Sequence, residues 1–397
     1  MKKTIKDIAL KGKKALIRVD FNVPLDKELN ITDDSRIRAA LPTIQYVLDN
    51  GASAILMSHL GRPKGKVVDS MRLTPAVKRL GKLMGKKVTK LDDCVGPDVE
   101  AAAARMKPGD VVILENLRFH LEEEANDREF SKKLAGLGDV FINDAFGTAH
   151  RAHASTEGVT KYLPSVAGFL LQKEIEYLGK VLTNPVSPFV AILGGSKVSD
   201  KIGVVENLLD KVNTILIGGG MAYTFLKSLG TAIGDSKLEA DKIALAGTIL
   251  QKAEAKKVKI VLPVDHVIVQ KLEQNAPSKV TDGLAIPDGW MGVDIGPKSA
   301  ELFTAEVKTA KTVLWNGPLG VFEIDPFGNG SREVAAALAD SHAVSVLGGG
   351  DTASCVAKFS LSDAMTHIST GGGASLEYLE GRVLPGIDAL NDKEDRK

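Results

Sequence analysis

Two lysines four residues apart follow a pair of glycines near the middle of the chain. Residues 194–202 read GGSKVSDKI and come directly after the apolar run 189–193. The pattern predicts a strand that ends at the glycines and turns into a helix, with Lys197 and Lys201 on one face. Like charges at this spacing repel, and cations are disfavoured at a helix N-terminus. An anion bound between the lysines would explain the pair; two solvated lysines on an ordinary surface helix are the alternative.

A glycine-rich turn in the last quarter of the chain offers a second place for an anion. Residues 348–352 read GGGDT and precede a helix predicted over 353–359. Amides of glycine approach a phosphate closely, and the start of a helix adds partial positive charge. Asp351 could hold a magnesium ion that shares the phosphate oxygens. One glycine cluster alone could merely close a strand, but similar clusters at 194–195, 218–220 and 371–373 favour phosphate binding.

Arginines and histidines, rather than glycines, follow the predicted strands of the first half. They are Arg36, His59, Arg62, Arg118, His150, Arg151 and His153. Guanidinium groups suit carboxylates and phosphates, so these side chains would bind a small, doubly anionic substrate if the strand ends lie side by side. Any single arginine could instead form a surface ion pair worth little. Asp20 and Asn22 would orient substrate hydroxyls, or would simply end a strand in a turn.

Alternating β-rich and helical stretches must position these side chains. Strands are predicted over 15–20, 53–58, 111–115 and 140–143, and then over 189–193, 214–217, 258–262, 312–315, 344–347 and 367–369. Parallel sheets covered by helices show this alternation, and they bind ligands at the carboxyl ends of their strands. Helical spacing over 172–183, ending before Pro185 and Pro188, predicts a connecting helix. The predicted fold is therefore α/β, with two doubly wound parallel-sheet (Rossmann-like) domains joined by a helix and a cleft between them.

Composition excludes several classes of protein. The 397 residues exceed what one core usually supports, so at least two domains are expected. With 51 basic and 50 acidic side chains, no large field exists to hold nucleic acid or a membrane. Cys94 and Cys355 lie far apart without CxxC or Cys/His spacing, so neither a disulfide framework nor a zinc site is predicted. No segment resembles a secretory signal or a membrane span, and a soluble cytoplasmic protein is expected.

Two general phosphate-binding motifs help to separate the possible functions. The P-loop pattern G-x-x-x-x-G-K-[ST] is excluded, because no glycine stands at the required position before Lys197. Gly348-x-Gly350-x-x-Ala353 matches the loose dinucleotide pattern, which keeps an NAD-dependent dehydrogenase possible. That match falls late in its domain, and Asp351 would place a negative charge beside the pyrophosphate. A non-catalytic phosphometabolite-binding protein is a third possibility, although it would need only one ligand site.

Long motifs in order along almost the whole chain resemble one family, phosphoglycerate kinase. They read RVDFNVP (18–24), SHLGRP (58–63), NDAFGTAHRAHAS (143–155), GGSKVSDKI (194–202), DIGPKS (294–299), WNGPLGVFE (315–323) and HISTGGGASLEYLEG (367–381). Ser196 stands where the family usually has alanine, and Leu319 where methionine is common. Neither departure alters a charge or a glycine, so neither puts activity in doubt.

The resemblance implies a kinase of glycolysis with a carboxyl group as acceptor. It would transfer a phosphoryl group in line between 1,3-bisphosphoglycerate and ADP, giving 3-phosphoglycerate and ATP, with Mg²⁺ as cofactor and closure of the domains about a hinge. It implies a 3-phosphoglycerate-binding domain over 1–170, an interdomain helix over 171–185, a nucleotide-binding domain over 186–380 and a segment, 381–397, that packs back on the first domain. A cytoplasmic monomer is expected, with these small molecules as partners and neither nucleic acid nor membrane.

The same resemblance implies a role for each site residue. The residues expected to act on the transferred phosphoryl group are Arg36, Lys197, Lys201 and Gly372. Those expected to bind the phosphoglycerate are Asp20, Asn22, Arg36, His59, Leu60, Gly61, Arg62, Arg118 and Arg151. Those expected to bind the nucleotide are Lys201, Gly292, Asn316, Glu323, Gly349, Gly350, Asp351 and Thr352, with Asp351 also binding the metal.

Overall fold

The structure, a computed structural model, describes residues 1–393 and has two compact units. Unit 1 comprises residues 1–176 together with 383–393, and unit 2 comprises residues 177–382. Residues 394–397 of the predicted C-terminal segment lie outside the described residues. Within residues 1–393, none of the helices combines the length and apolar character needed to cross a bilayer.

Unit 1 is built on a parallel sheet, which within the described residues has the strand order β3-β4-β2-β1-β5-β6. Its strands are β1 (Lys14–Arg18), β2 (Ser53–Met57), β3 (Thr89–Lys90), β4 (Val111–Ile113), β5 (Val140–Asn143) and β6 (Ser165–Ala167). Its helices are α1 (Ser35–Asp49), α2 (Thr74–Met84), α3 (Pro97–Ala104), α4 (Leu121–Glu124) and α5 (Arg128–Ala135). All five residues of β2 are buried, as expected for a central parallel strand covered on both faces.

Residues near the C-terminal end complete unit 1. The Asn391 backbone N–H donates to the Ser165 carbonyl at 3.0 Å, and the Lys3 N–H donates to the Asn391 carbonyl at 2.7 Å. Asn143, at the end of β5, donates through Nδ2 to the Gly386 carbonyl at 2.8 Å. These bonds tie residues 383–393, including α14 (Pro385–Asp388), to the edge of the sheet.

Unit 2 has a second parallel sheet, in which the strand order among the described residues is β15-β14-β13-β7-β8-β9. Its strands are β7 (Phe189–Leu193), β8 (Thr214–Ile217), β9 (Lys259–Val261), β13 (Thr312–Asn316), β14 (Val344–Gly348) and β15 (His367–Ile368). Its helices are α7 (Ile202–Leu208), α8 (Ala222–Ser228), α9 (Ile243–Ala255), α10 (Pro297–Thr309), α11 (Asn329–Ala339), α12 (Gly350–Lys358) and α13 (Gly373–Leu379). The central strands β7 and β13 are buried along their whole length. The two parallel sheets agree with the predicted α/β fold class.

A small antiparallel sheet between β9 and α10 is an addition to the predicted fold. It has the order β11-β10-β12, with β10 (His266–Val269), β11 (Ser278–Val280) and β12 (Met291–Ile295). None of its three strands was predicted, and the exposed β11 lacks the apolar run that marks a buried strand.

One helix, α6 (Phe169–Thr183), contains the boundary between the units, which falls after Glu176. It begins three residues before the predicted helix and ends at the predicted residue. The Asp144 carboxylate accepts the backbone N–H groups of Leu170 at 2.9 Å and Leu171 at 3.3 Å, so it caps two of the free amides at the helix start.

Candidate active site

The loops that follow β1, β2, β4 and β5 bring the predicted arginine cluster together in unit 1. These strands are consecutive in the sheet, so the loops at their carboxyl ends are neighbours. Arg36 Nη1 donates to Asp20 Oδ2 at 2.9 Å, and Arg118 Nη1 donates to the Gly61 carbonyl at 3.0 Å. Asn22 Oδ1 accepts the Gly61 N–H at 2.9 Å, which joins the first two loops.

His59 lies within this cluster as a neutral hydrogen-bonding group. Its side chain is buried, and Arg18 Nη2 donates to His59 Nδ1 at 3.0 Å. Because arginine has only donors, Nδ1 accepts and Nε2 carries the ring proton. Burial, followed by the positive charges of Arg18 and Arg118, holds the pKa of His59 well below its usual range. A neutral imidazole can therefore donate one hydrogen bond to an anion without adding charge.

A buried polar chain stands behind His59. Arg18 Nε donates to Ser155 Oγ at 2.9 Å, and Ser155 Oγ in turn donates to Glu123 Oε1 at 2.6 Å. The Ser155 N–H donates to Glu123 Oε2 at 3.0 Å. Burial raises the pKa of Glu123, and the charge of Arg18 opposes that rise. None of these three residues was predicted, although an arginine at the end of the buried strand KALIR was a usable signal.

The remaining predicted substrate residues take different positions around the cluster. Arg62 is exposed in the loop after Gly61, whereas Leu60 is buried and its carbonyl accepts Asn116 Nδ2 at 2.7 Å. Arg151 Nε donates to His150 Nε2 at 3.1 Å. Burial lowers the pKa of Arg118, and the charges of Arg18 and Arg151 add to that effect while Glu124 opposes it. Mutual repulsion of this kind is what a bound polyanion would relieve.

Unit 2 has a pocket of about 560 Å³ at the carboxyl ends of β13 and β14. It brings together seven of the predicted site residues and Gly373 of the glycine cluster 371–373. Its lining also includes six residues that were not predicted, namely Asp200, Gly317, Leu376, Glu377, Glu380 and Arg382. The seven are Lys201, Asn316, Gly349, Gly350, Asp351, Thr352 and Gly372.

Lys201 is half-buried beside Asn316 in this pocket. Lys201 Nζ donates to Asn316 Oδ1, and Asn316 Nδ2 is buried without a hydrogen-bond partner among residues 1–393. Burial lowers the pKa of Lys201, while the negative charges of Asp200, Asp351 and Glu380 favour its protonated form. The pocket thus offers an ammonium group to a ligand, next to an amide whose Nδ2 is buried and unpaired among the described residues.

The start of α12 supplies backbone donors to the same pocket. Gly349 is the N-cap residue at φ 91°, a conformation that favours glycine, and a Cβ placed on Gly350 would meet no atom within 4 Å. Thr352 Oγ1 donates to the Gly348 carbonyl at 2.8 Å and accepts the Gly317 N–H at 2.7 Å, so it fastens the turn to the loop after β13. The free amides of the first helical turn can therefore receive phosphate oxygens.

The prediction that Lys197 and Lys201 share one helix face is wrong. Helix α7 begins at Ile202, with Lys201 as its N-cap residue, and Lys197 lies in the preceding loop. That loop is held outside the helix by Ser199, whose Oγ donates to Glu239 Oε1 at 2.6 Å. Lys197 is exposed and is not among the residues that line the pocket in the described part of the chain.

Two predicted nucleotide residues also lie outside the lining of this pocket as far as the structure describes the chain. Glu323 is exposed, and its carbonyl accepts Lys358 Nζ at 3.1 Å. Gly292 lies on β12, where an added Cβ would overlap the Tyr223 hydroxyl, so packing alone explains glycine there.

Asp351 fits the role of a magnesium ligand. Its carboxylate is exposed on the first turn of α12, beside the glycine amides and within electrostatic reach of Lys201. Mg²⁺ in proteins is usually held by one or two carboxylates together with phosphate oxygens and water. The exposed Asp351 carboxylate, next to a turn suited to phosphate binding, can serve as such a ligand.

Comparisons with known proteins agree on one family. The family model described as phosphoglycerate kinase matches residues 5–382. A phosphoglycerate kinase of Moorella thermoacetica is 57% identical over 392 residues, covering 99% of this chain and 100% of that protein. One of Chloroherpeton thalassium is 58% identical over 395 residues, covering 98% and 99% respectively.

Solved structures give the same result at the level of the fold. The phosphoglycerate kinase of Coxiella burnetii superposes with a TM-score of 0.91 at 42% identity, covering 98% of this chain and 99% of that one. The enzyme of Pyrococcus horikoshii gives a TM-score of 0.82 at 32% identity, with 98% of both chains covered.

Proposed function

This chain belongs to the phosphoglycerate kinase family, and from that membership we propose that unit 1 binds the phosphoglycerate and unit 2 the nucleotide. The chain is therefore a phosphotransferase of glycolysis, and the dehydrogenase and binding-protein alternatives are discarded. The observation that carries the assignment of the units is the meeting of Lys201, Asn316 and the start of α12 in one pocket. Ammonium, amide and helix-terminal N–H groups together suit a polyphosphate.

The arginine cluster of unit 1 supports a phosphoglycerate site there. Arg118 and Arg151 provide charge for the stable phosphate, with Arg62 in the adjacent loop, while neutral His59 donates from Nε2. Arg36, held by Asp20, is half-buried and would face the phosphoryl group being transferred. Asp20 and Asn22 would also contact the substrate hydroxyl and carboxyl groups, with Leu60 and Gly61 forming the wall of the site.

Phosphoryl transfer to a carboxylate requires the protein to position the reactants and to supply positive charge, and it does not require a general base. The carboxylate is already ionised and nucleophilic, and the transition state of in-line transfer spreads negative charge over equatorial oxygens. Arg36 from unit 1, with Lys197, Lys201 and the Gly372 region from unit 2, would stabilise that charge. Neither a general base nor a phosphoenzyme is needed.

Several finer properties are also part of the proposal. Mg²⁺ held by Asp351 would, when bound, neutralise charge on the nucleotide phosphates. Glu323 and Gly292 would contact the nucleoside. We propose a monomer that acts in the cytoplasm, where glycolytic intermediates are found. In-line transfer requires the two ligands to meet, so the domains are proposed to close about the α6 hinge.

A coupled spectrophotometric assay of ATP-dependent 3-phosphoglycerate consumption tests the residue assignments. Arg36→Ala should lower kcat by about 10³-fold or more, by analogy with arginines that stabilise phosphoryl transfer, and should leave ATP affinity nearly unchanged. Lys201→Ala should instead weaken ATP binding measured by calorimetry.

Arg38→Ala is the matched control, since Arg38 lies on the same helix as Arg36 and pairs with Asp34 at 2.9 Å. Near-normal turnover of Arg36→Ala, or unchanged ATP affinity of Lys201→Ala, would remove that residue from its proposed role. A wild-type rate that does not depend on added Mg²⁺ would contradict the proposed metal.

A further inference from the structure

Three metal-ligating side chains meet at the edge of unit 1. Asp93 and Cys94 lie in the loop after β3, and His120 lies shortly after β4. The two strands are neighbours in the sheet, so the segments that follow them are brought together. One ligand atom from each residue, a carboxylate oxygen, a sulfur and a ring nitrogen, lies within 4.8 Å of the other two.

A tetrahedral zinc site fixes the separations that these three ligand atoms would have to adopt. With Zn–S near 2.3 Å and Zn–N and Zn–O near 2.0–2.2 Å, the ligand atoms of such a site are about 3.4–3.6 Å apart. His120 Nε2 and Asp93 Oδ1 are now 2.7 Å apart and would have to separate by about 0.7 Å, whereas the Cys94 sulfur already lies within 4.8 Å of both. The Asp93 side chain is 53% exposed and that of His120 is 27% exposed, so both have room to rotate.

We propose that Asp93, Cys94 and His120 bind Zn²⁺, with water as the fourth ligand. Thiolate and imidazole are ligands that zinc accepts and that Mg²⁺ and Ca²⁺ avoid, which distinguishes this site from Asp351 in unit 2. The exposed side of Asp93 and His120 gives the ion a path from solvent and a place for the water.

The surroundings of the cluster orient two of the ligands. The Cys94 N–H donates to Asp93 Oδ1 at 2.6 Å, and the His120 ring lies 5.3 Å from that of Phe130. Cys94 is fully buried, and burial raises the pKa of its thiol well above the usual range. The free thiol is thus protonated and unreactive, and zinc would displace its proton to solvent on binding.

The position of the site links it to the arginine cluster. His120 stands two residues after Arg118 and directly before α4, which carries the buried Glu123. A bound ion would therefore restrain the segment that holds both residues, and it would stabilise unit 1 by mass action.

Titration of the full-length protein with Co²⁺, a spectroscopic substitute for Zn²⁺, tests the proposal without relying on activity. Wild type should develop a thiolate-to-cobalt charge-transfer band that saturates at one ion per chain, and Zn²⁺ should bleach it whereas excess Mg²⁺ should not. Cys94→Ser should abolish the band. His120→Gln should weaken binding by at least about tenfold, the minimum loss seen for groups that only support metal ligands.

Cys355→Ser is the matched control, because Cys355 is the other buried cysteine of the chain and lies in unit 2. It should retain the full band. The proposal is overturned if wild type gives no band, if the band survives in Cys94→Ser, or if it disappears in Cys355→Ser. Should Cys94→Ser fail to fold, His120→Gln and Asp93→Asn decide the matter, since both change partly exposed side chains, and unchanged affinity in both would refute the site.

Discussion

Burial sets the charge state of the polar groups in the arginine cluster. Desolvation, together with the surrounding arginines, lowers the pKa of His59 well below its usual range and that of His153 to about 3. Both rings are therefore neutral at physiological pH. The positive charge offered to an anion comes from guanidinium groups, which do not titrate in this range.

Glu123 is the residue at which this cluster is most sensitive to a change of charge. It is fully buried and receives two hydrogen bonds from Ser155, which also holds Arg18. Glu123→Gln should lower the free energy of unfolding by about 3 kcal/mol, because Arg18 stays buried after losing its nearby negative charge. Urea denaturation measures the change.

The adjacent Glu122→Gln serves as the control for this prediction. Glu122 is exposed, and surface changes of this kind usually alter stability by less than about 0.5 kcal/mol. Equal, small effects of the two substitutions would show that Arg18 does not depend on Glu123 for its charge balance.

Sequence reasoning found site residues that closely follow strands and missed others that do not. Asp20, His59 and Arg118 follow strands closely, so the rule that ligands bind at strand ends selects them. Glu123 lies in α4 and Ser155 lies in the loop region after β5, so neither directly follows a strand. Their hydrogen-bonded link to Arg18 forms only in the tertiary structure. No local pattern encodes that link.

At the scale of elements, α6 starts on a carboxyl group whose pKa is raised by burial. Burial raises the pKa of Asp144 to about 7, even though hydrogen bonds from Thr43 and from the amides of Leu170 and Leu171 favour the ionised form. The free-energy cost of desolvating the ionised Asp144 carboxylate therefore exceeds what it gains from the helix N-terminus. A negative charge at a helix N-terminus usually gains about 0.3–1 kcal/mol, and at most about 2 kcal/mol.

The raised pKa of Asp144 predicts a pH dependence of stability with a definite sign. Between its unfolded value of about 4 and its folded value of about 7, the folded state holds a proton that the unfolded state has lost, so stability falls as pH rises. Asp144→Asn removes this loss and keeps an oxygen to accept the amides of α6. The variant should match wild type near pH 4 and exceed it by up to about 4 kcal/mol above pH 7.

Urea denaturation at pH 4, 5.5 and 7.5 measures this difference. The comparison at pH 4 is an internal control for the change of side chain, because Asp144 is then protonated in the folded state and only about half ionised in the unfolded state, so little of the pH-dependent loss has developed. A difference between variant and wild type that stays constant across the three pH values would show that Asp144 does not titrate in this window.

The elements themselves were largely predictable, because apolar runs of buried strands are local signals. Every predicted strand corresponds to an observed one, and those over 140–143, 189–193 and 214–217 have the observed bounds. The short strands β3 and β6 have too few residues to form a pattern. The segment from Lys197 to Lys201 has helical spacing but is held as a loop by the Ser199–Glu239 hydrogen bonds, a tertiary contact that the sequence does not display.

At the scale of the whole molecule, the positive charge available to the proposed ligands is local rather than global. The formal net charge is +1, yet unit 1 gathers several arginines and unit 2 presents Lys201 and helix-terminal amides. The proposed ligands bind to different units, and the proposed closure would move these units as bodies. The proposed closure would act through helix α6 and the chain after Arg382, where the chain passes between the units.

Small-angle X-ray scattering tests this movement directly. The radius of gyration of wild type should fall when 3-phosphoglycerate and a non-hydrolysable magnesium–ATP analogue are both present, since only the pair of ligands has contacts that a closed form can complete. Each ligand alone should produce a smaller change. Lys201→Ala serves as the control, at an analogue concentration that saturates wild type but not the variant. Its radius of gyration should fall less than that of wild type, which separates closure from nonspecific effects of the ligands. An unchanged radius in wild type with both ligands bound, as verified by calorimetry, would exclude a closing hinge while leaving the chemistry at each site intact.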